Sequence, residues 1–185
     1  MELIAHHRLW SGRYRLKIVS TKARYGVAIR AAVAEAGLTE RVDFLDDLPE
    51  EALIDLYRHC AAVVYPSLME GFGRPALEAM AVERPVILSD IPVHREIFGA
   101  AAILITPGSP ASWEAAFRRL EEAPEVARLI AAGRPIVKRF GWDRVAREAR
   151  SGPAALRAGP RGPSYPSLSM VPVKLPHDEM AARCA

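Results

Sequence analysis

Apolar positions along this chain fall into short β-rich runs that alternate with longer stretches at helical spacing. Leu16-Lys-Ile-Val-Ser20 predicts a strand, followed by a helix near 24–37 that ends at Gly37. Arg41-Val-Asp-Phe-Leu45 predicts a second strand. Pro49-Glu-Glu-Ala then opens a helix to about Cys60, with acids in its first turn, where the helix dipole favours them. Ala61-Ala-Val-Val-Tyr65 is an almost wholly apolar run, the pattern of a parallel strand buried on both faces. A helix from Pro75 to about Val82 comes next, then strands at Pro85–Ser89 and Ala101–Ile105 with a short helix near 93–98 between them. Helical patterns fill about 110–122, 124–139 and 142–150. Alternation of this kind predicts an α/β fold, a doubly wound parallel sheet of the Rossmann-like type with helices on both faces.

From Ser151 the pattern changes. Six of the 15 prolines (153, 160, 163, 166, 172 and 176) fall in the last 35 residues, among scattered Gly and Ser. Such a segment buries too little apolar surface to offset the entropy of ordering it, so the expected division is a domain over 1–150 and a disordered tail over 151–185. An extended strap lying over the domain is the rival expectation for the tail.

Composition then narrows the function. With 185 residues, half of them hydrophobic, the chain can bury one full-sized core. Two of its three net positive charges fall in the tail, because the first 150 residues hold 21 Lys/Arg against 20 Asp/Glu. The body therefore lacks the electrostatic footprint of a nucleic-acid binder. Two cysteines, Cys60 and Cys184, make neither a disulfide framework nor a zinc spacing, which suits a reducing compartment. No apolar run approaches the roughly 20 residues of a membrane span, and no signal-peptide layout opens the chain. A cytoplasmic location is expected.

The chemistry concentrates in Ser67-Leu-Met-Glu-Gly-Phe-Gly-Arg-Pro-Ala-Leu-Glu-Ala-Met-Ala81. Glu70 and a Gly71-Phe72-Gly73 turn follow the buried strand, where a doubly wound sheet presents its ligand site. Pro75 sets the start of the next helix, whose free N–H groups and dipole favour an anion such as a diphosphate. Gly71 and Gly73 allow close backbone approach and dihedrals closed to other residues. Glu78, one turn into that helix, can face the same cleft, and carboxylates there suit sugar or ribose hydroxyls. From spacing alone the plainer reading is favoured: Glu70 caps the helix, Glu78 faces solvent, and Gly-X-Gly is only a turn.

Longer motifs shift that balance. Tyr65 to Pro107, "YPSLMEGFGRPALEAMAVERPVILSDIPVHREIFGAAAILITP", strongly resembles the donor-binding half of retaining glycosyltransferases of family 4, whose GT-B architecture sets two Rossmann-like domains across a cleft. The family signature, Glu-seven residues-Glu within E-G-F-G-x-P-x-L-E-A-M-A, is met by Glu70 and Glu78. "RVDFLDDLPEEALIDLYRHCAAVVYPS" and the Pro-Val-Ile-x-Ser-Asp strand extend the likeness, which covers about 1–150. The subgroup resembles the mannosyl- and related hexosyltransferases of surface-polysaccharide assembly.

The resemblance implies roles residue by residue. Glu70, the catalytic position, would bond hydroxyls of the transferred sugar. Backbone N–H groups of Gly71, Phe72 and Gly73 would contact sugar and diphosphate, and Glu78 would hold the ribose. The loop near Leu45 to Leu48 would lie beside the base. No cofactor or bound metal is implied, since protein donors and the helix dipole stabilise the departing diphosphate. The expected partners are a nucleotide-diphosphate sugar and a glycan or lipid-linked acceptor, with a peripheral position at the inner membrane face in the full-length enzyme.

Two departures qualify that expectation. The family places an Arg and a Lys in the first strand–helix unit of this domain. "ELIAHHRLWSGRYRLKIVS" resembles only the end of that unit and the next strand. The pair and the whole N-terminal acceptor-binding domain are thus expected to be missing, as in a partial chain. Glu83 also stands where the family has Gly, and exposure is expected there. A catalytically inactive nucleotide-binding or interaction fragment of the same fold is therefore the second hypothesis. Elsewhere, His6, His7 and His94 are expected at the surface, and Cys60, Trp113 and Trp142 in packing.

Overall fold

The computed structural model describes residues 14–20, 23–140 and 169–174. Among the described residues, six strands form one sheet: β1 (Tyr14–Ser20), β2 (Val42–Asp46), β3 (Val63–Tyr65), β4 (Val86–Ser89), β5 (Ile103–Ile105) and β6 (Ser169–Lys174). The described residues also form six α-helices: α1 (Ala23–Glu35), α2 (Glu50–His59), α3 (Arg74–Ala81), α4 (Pro92–Ile97), α5 (Pro110–Glu121) and α6 (Ala123–Phe140). Every strand and helix expected between 14 and 140 is present, with ends displaced by a few residues. The helix expected near 142–150 lies outside the described residues.

The order across the sheet is β2-β1-β6-β3-β4-β5. β1 with β2, β3 with β4, and β4 with β5 pair in parallel. Side chains alternate between two cores, one on each face. Leu16, Ile18, Val64, Ile87, Ile103 and Ile105 join Val33 of α1 and Trp113 and Phe117 of α5. Val63, Tyr65, Val86 and Leu88 join Leu56 and Tyr57 of α2, Ala76, Ala79 and Met80 of α3, and Phe98. Residues 63–65 and 86–89 are buried on both faces, which is why they read as unbroken apolar runs. Cys60 is buried in the second core as expected, its thiol pushed up to about 12 by desolvation.

Part of the expected tail, residues 169–174, enters the sheet as the sixth strand, and the rest of 151–185 lies outside the described residues. Residues 169–174 are hydrogen-bonded within the sheet rather than disordered, and they lie in it rather than over it. β6 runs antiparallel between β1 and β3, pairing with β1 from Val19↔Ser169 to Tyr14↔Lys174 and with β3 at Val64↔Met170. It carries Pro172 opposite Leu16, in mid-sheet, although proline has no N–H to give a ladder. Proline-rich composition hid this strand, because sequence rules confine proline to sheet edges. The chain also reverses its winding here: β2 lies outside β1 on one side, and β4 and β5 lie outside β3 on the other. The gap that β6 fills is thus the topological switch of the sheet.

Two helices end with the same hydrogen-bond motif on different residues. After α1, Gly37 at φ +68 gives N–H bonds from Gly37 to Ala34 O and from Leu38 to Val33 O. After α3, Glu83 at φ +58 gives bonds from Glu83 to Met80 O and from Arg84 to Ala79 O. Glu83 thus occupies a left-handed position that favours glycine, and its exposed pairing with Arg134 at 2.9 Å contributes little. Glu83→Gly is therefore expected to stabilise the chain by about 1 kcal/mol. Urea unfolding checks this: the midpoint should rise with an unchanged slope.

Candidate functional site

The site forms at the carboxyl ends of β3 and β4, where the chain turns into α3 and α4. β3 ends at Tyr65, and Pro66 to Gly73 cross the edge of the sheet before α3 begins at Arg74. Pro75 stands second in the helix, one place later than the sequence suggests, where its missing N–H is still one that would lack an intrahelical acceptor. Gly73 is the N-cap, in the left-handed region at φ +92, and no side chain caps the helix. The start of α3 is therefore left with its backbone donors and the positive end of its dipole for a ligand.

Gly71 and Gly73, alike in sequence, do different work. A Cβ on Gly73 would lie 3.0 Å from Phe98 Cε2 and 3.3 Å from His94 Nε2, on top of a positive φ. A Cβ on Gly71 would meet nothing within 4 Å, and Gly71 is not among the glycines at positive φ. The expectation of special dihedrals thus holds at Gly73 alone. Phe72 between them packs edge-on against Phe98 at 6.4 Å and Phe140 at 5.1 Å, which ties the turn to the end of α6. Its ring anchors the turn to α6 and to Phe98.

Both carboxylates are oriented by neighbours that sequence reading passed over. Glu70 Oε1 accepts from the Tyr65 hydroxyl at 2.5 Å and from Ser67 Oγ at 2.7 Å. Both donors converge on one oxygen, and Oε2 receives no bond from the described residues. Glu78 Oε2 accepts from the Tyr57 hydroxyl at 3.2 Å, and Oε1 lies 3.4 Å from Arg74 Nη2. The Tyr65 hydroxyl is held protonated, its pKa raised by burial first, then by its bond to Glu70, with the charges of Glu70 and Glu78 adding to both. The capping role for Glu70 fails, because its partners are Tyr65 and Ser67. The available signal was Tyr65 itself, a phenol closing an otherwise aliphatic strand.

Beside Glu70 the loop exposes Leu68 and Met69, at 75% and 84%. On the far side of the switch, the loop after β2 holds Asp47 at φ +52, and Asp46 is paired with Arg30 at 2.5 Å. His94, expected at the surface, is instead fully buried in α4 beneath the glycine turn. Its polar neighbours in sequence, Arg95 and Glu96, mask an inward-facing position. His6, His7, Trp142 and Cys184 lie outside the described residues, and Trp113 packs in the core as expected. Among the described residues, no group of His, Cys, Asp and Glu is arranged to hold a metal ion, and no helix is long and apolar enough to cross a membrane.

Comparison with known proteins agrees with this architecture. Residues 25–134 match the family described as glycosyl transferases, group 1. The O-antigen chain mannosyltransferase RfbU of Salmonella typhimurium is 36% identical over 140 residues, covering 76% of this chain and 39% of that protein. Among solved structures, sucrose-phosphate synthase from Thermosynechococcus elongatus superposes with a TM-score of 0.71 at 27% identity, over 81% of this chain and 40% of that one. Anabaena HepE, solved with UDP and glucose, superposes at 0.57 with 25% identity, over 69% of this chain and 37% of the other. The chain thus spans two fifths or less of the length of these relatives. With a matched family domain over most of its described residues and a Rossmann-like α/β sheet, the chain belongs to the group 1 glycosyl transferases.

Proposed function

We propose that this chain is the donor-binding half of a nucleotide-sugar-dependent hexosyltransferase that moves a sugar, mannose being the first candidate, to a glycan or lipid-linked acceptor hydroxyl with retention. The observation that carries the reading is the pair of carboxylates, each fixed by a tyrosine hydroxyl, flanking the uncapped start of α3. Glu70, with Oε1 engaged by Tyr65 and Ser67, would offer Oε2 to hydroxyls of the transferred sugar. Backbone N–H groups between Gly71 and Gly73 and at the start of α3 would stabilise the departing diphosphate, the preorganised kind of charge stabilisation that needs no reorganisation during reaction. Glu78 would hold the ribose hydroxyls, and the loop at Leu45 to Leu48 would border the base. The acceptor would enter past Leu68 and Met69, held by a second domain. The mannosyltransferase relative and the UDP-bound HepE structure support the sugar class and the nucleotide.

Titrating the chain with UDP, GDP and ADP tests the proposal. One nucleotide should bind, and Glu78→Ala should weaken it roughly ten- to a hundredfold, the loss expected of a charged acceptor from two hydroxyls. Binding that Glu78→Ala leaves unchanged would overturn the assigned ribose contact, and failure of all three nucleotides to bind would overturn donor binding by this chain.

A further inference from the structure

His94 is fully buried, yet one of its ring nitrogens is unused. Nδ1 lies 2.8 Å from the Ser89 carbonyl oxygen. A carbonyl only accepts, so Nδ1 carries the hydrogen, and in the neutral ring Nε2 is a bare lone pair. Nε2 is buried and has no hydrogen-bond partner among the described residues. Buried polar atoms are satisfied in the great majority of native sites, so an orphan of this kind calls for a reason. Its position suggests one, because a Cβ on Gly73 would lie 3.3 Å from Nε2, directly under the residue that opens α3.

The ionisable surroundings of the ring are sparse. β3 contributes the Tyr65 ring, 6.3 Å away, whose hydroxyl is engaged by Glu70. α3 presents the Gly73 backbone, and Phe98 closes another side at 6.0 Å. On its own helix, Arg95 is neutralised by Asp90 at the surface. No carboxylate among these groups bonds the imidazole. An anion at the start of α3 favours a hydrogen on Nε2, since a bare lone pair beneath it is repulsive and an N–H directed at it is attractive.

We infer that His94 takes a proton from solvent onto Nε2 when a diphosphate occupies the start of α3, and so acts as a positioning residue for the donor's phosphates. The inference rests on the proposed diphosphate site. Diphosphate binding and proton uptake are then two ligands of one coupled equilibrium, each strengthening the other by the same factor. No other bond forms or breaks in the step.

Calorimetry of UDP and GDP binding to the full chain at pH 7.5, in two buffers of different ionisation enthalpy, measures the protons exchanged. The unaltered chain should take up protons beyond those exchanged by the nucleotide itself. His94→Gln should abolish that excess and weaken binding by about fivefold or more. His59→Gln, at an exposed imidazole bonded to the Asp55 carbonyl, should leave both unchanged. Nitrogen chemical shifts of the His94 ring give a readout without substitution: a neutral ring with hydrogen on Nδ1 when empty, and hydrogen on both nitrogens with nucleotide bound. Nucleotide binding with Nε2 still bare, or with excess uptake that survives His94→Gln, overturns the inference and leaves the proposed function standing. No binding by either nucleotide, nor by ADP, overturns both.

Discussion

Gly73→Ala should lower nucleotide affinity and transfer by about a hundredfold, the scale set by an error of 1 Å in the position of a reacting group. The substituted residue would have to hold φ +92, at about 1–2 kcal/mol for any residue with a Cβ. Its methyl would also lie 3.0 Å from Phe98 Cε2 and 3.3 Å from His94 Nε2. Neither neighbour can retreat, because both are buried to 1% or less. The turn must therefore move, and the start of α3 moves with it. Stability should fall by roughly 2–3 kcal/mol, the sum of backbone strain and modest overpacking. Gly71→Ala is the matched comparison, since its Cβ meets open space in the protein. It should unfold at nearly the same urea concentration as the unaltered chain, so any loss of nucleotide binding would report contact with the ligand. Equal destabilisation by the two substitutions would refute the distinction between these glycines.

Deleting residues 169–185 should leave a chain that no longer folds to a monomer, and a deletion confined to 175–185 is the matched control that keeps β6. β6 pairs with six residues of β1 and one of β3, in the middle of the sheet. Without it, Leu16, Ile18, Val63 and Val64 would flank a gap, and the backbone groups that β1 and β3 now pair with β6 would lose their partners. At about 1 kcal/mol net per hydrogen bond, the loss is on the order of 5 kcal/mol, comparable with the whole stability of a small domain. Thermal unfolding and light scattering of the two deletions separate the cases. A monomeric, cooperatively folded chain lacking 169–185 would show that β6 is dispensable to the sheet.

Local rules carried the fold a long way. The apolar runs at 61–65 and 85–89 announce buried parallel strands because both their faces are covered, and Gly37 marks a helix end because its motif needs a left-handed residue. What stayed hidden depended on contacts remote in sequence. β6 meets β1 about 150 positions away, and its proline argues against a central strand on every local criterion. The site divides along the same line. Glu70, Glu78 and the glycine turn stand together in one motif and were legible. The tyrosines that orient the acids come from α2 and β3, and Tyr57 reaches Glu78 across 21 positions. The burial of His94 and the unlike demands at Gly71 and Gly73 follow from dihedrals and neighbours, which a single sequence does not display.

The last strand also sets an order of events on the ribosome. By the time Ile105 is made, β1 to β5 have all been synthesised, yet the centre of the sheet is empty until residues 169–174 appear. Throughout that interval β1 and β3 hold inward edges lined with apolar side chains, the kind of template that pairs with other nascent chains. Closing the sheet then requires a loop that spans nearly the whole polypeptide, which slows folding because the entropy of closure precedes the contacts that reward it. The yield of folded protein in a cell should therefore depend on synthesis rate and on chaperones that shield open strands, more than on the stability of the finished sheet.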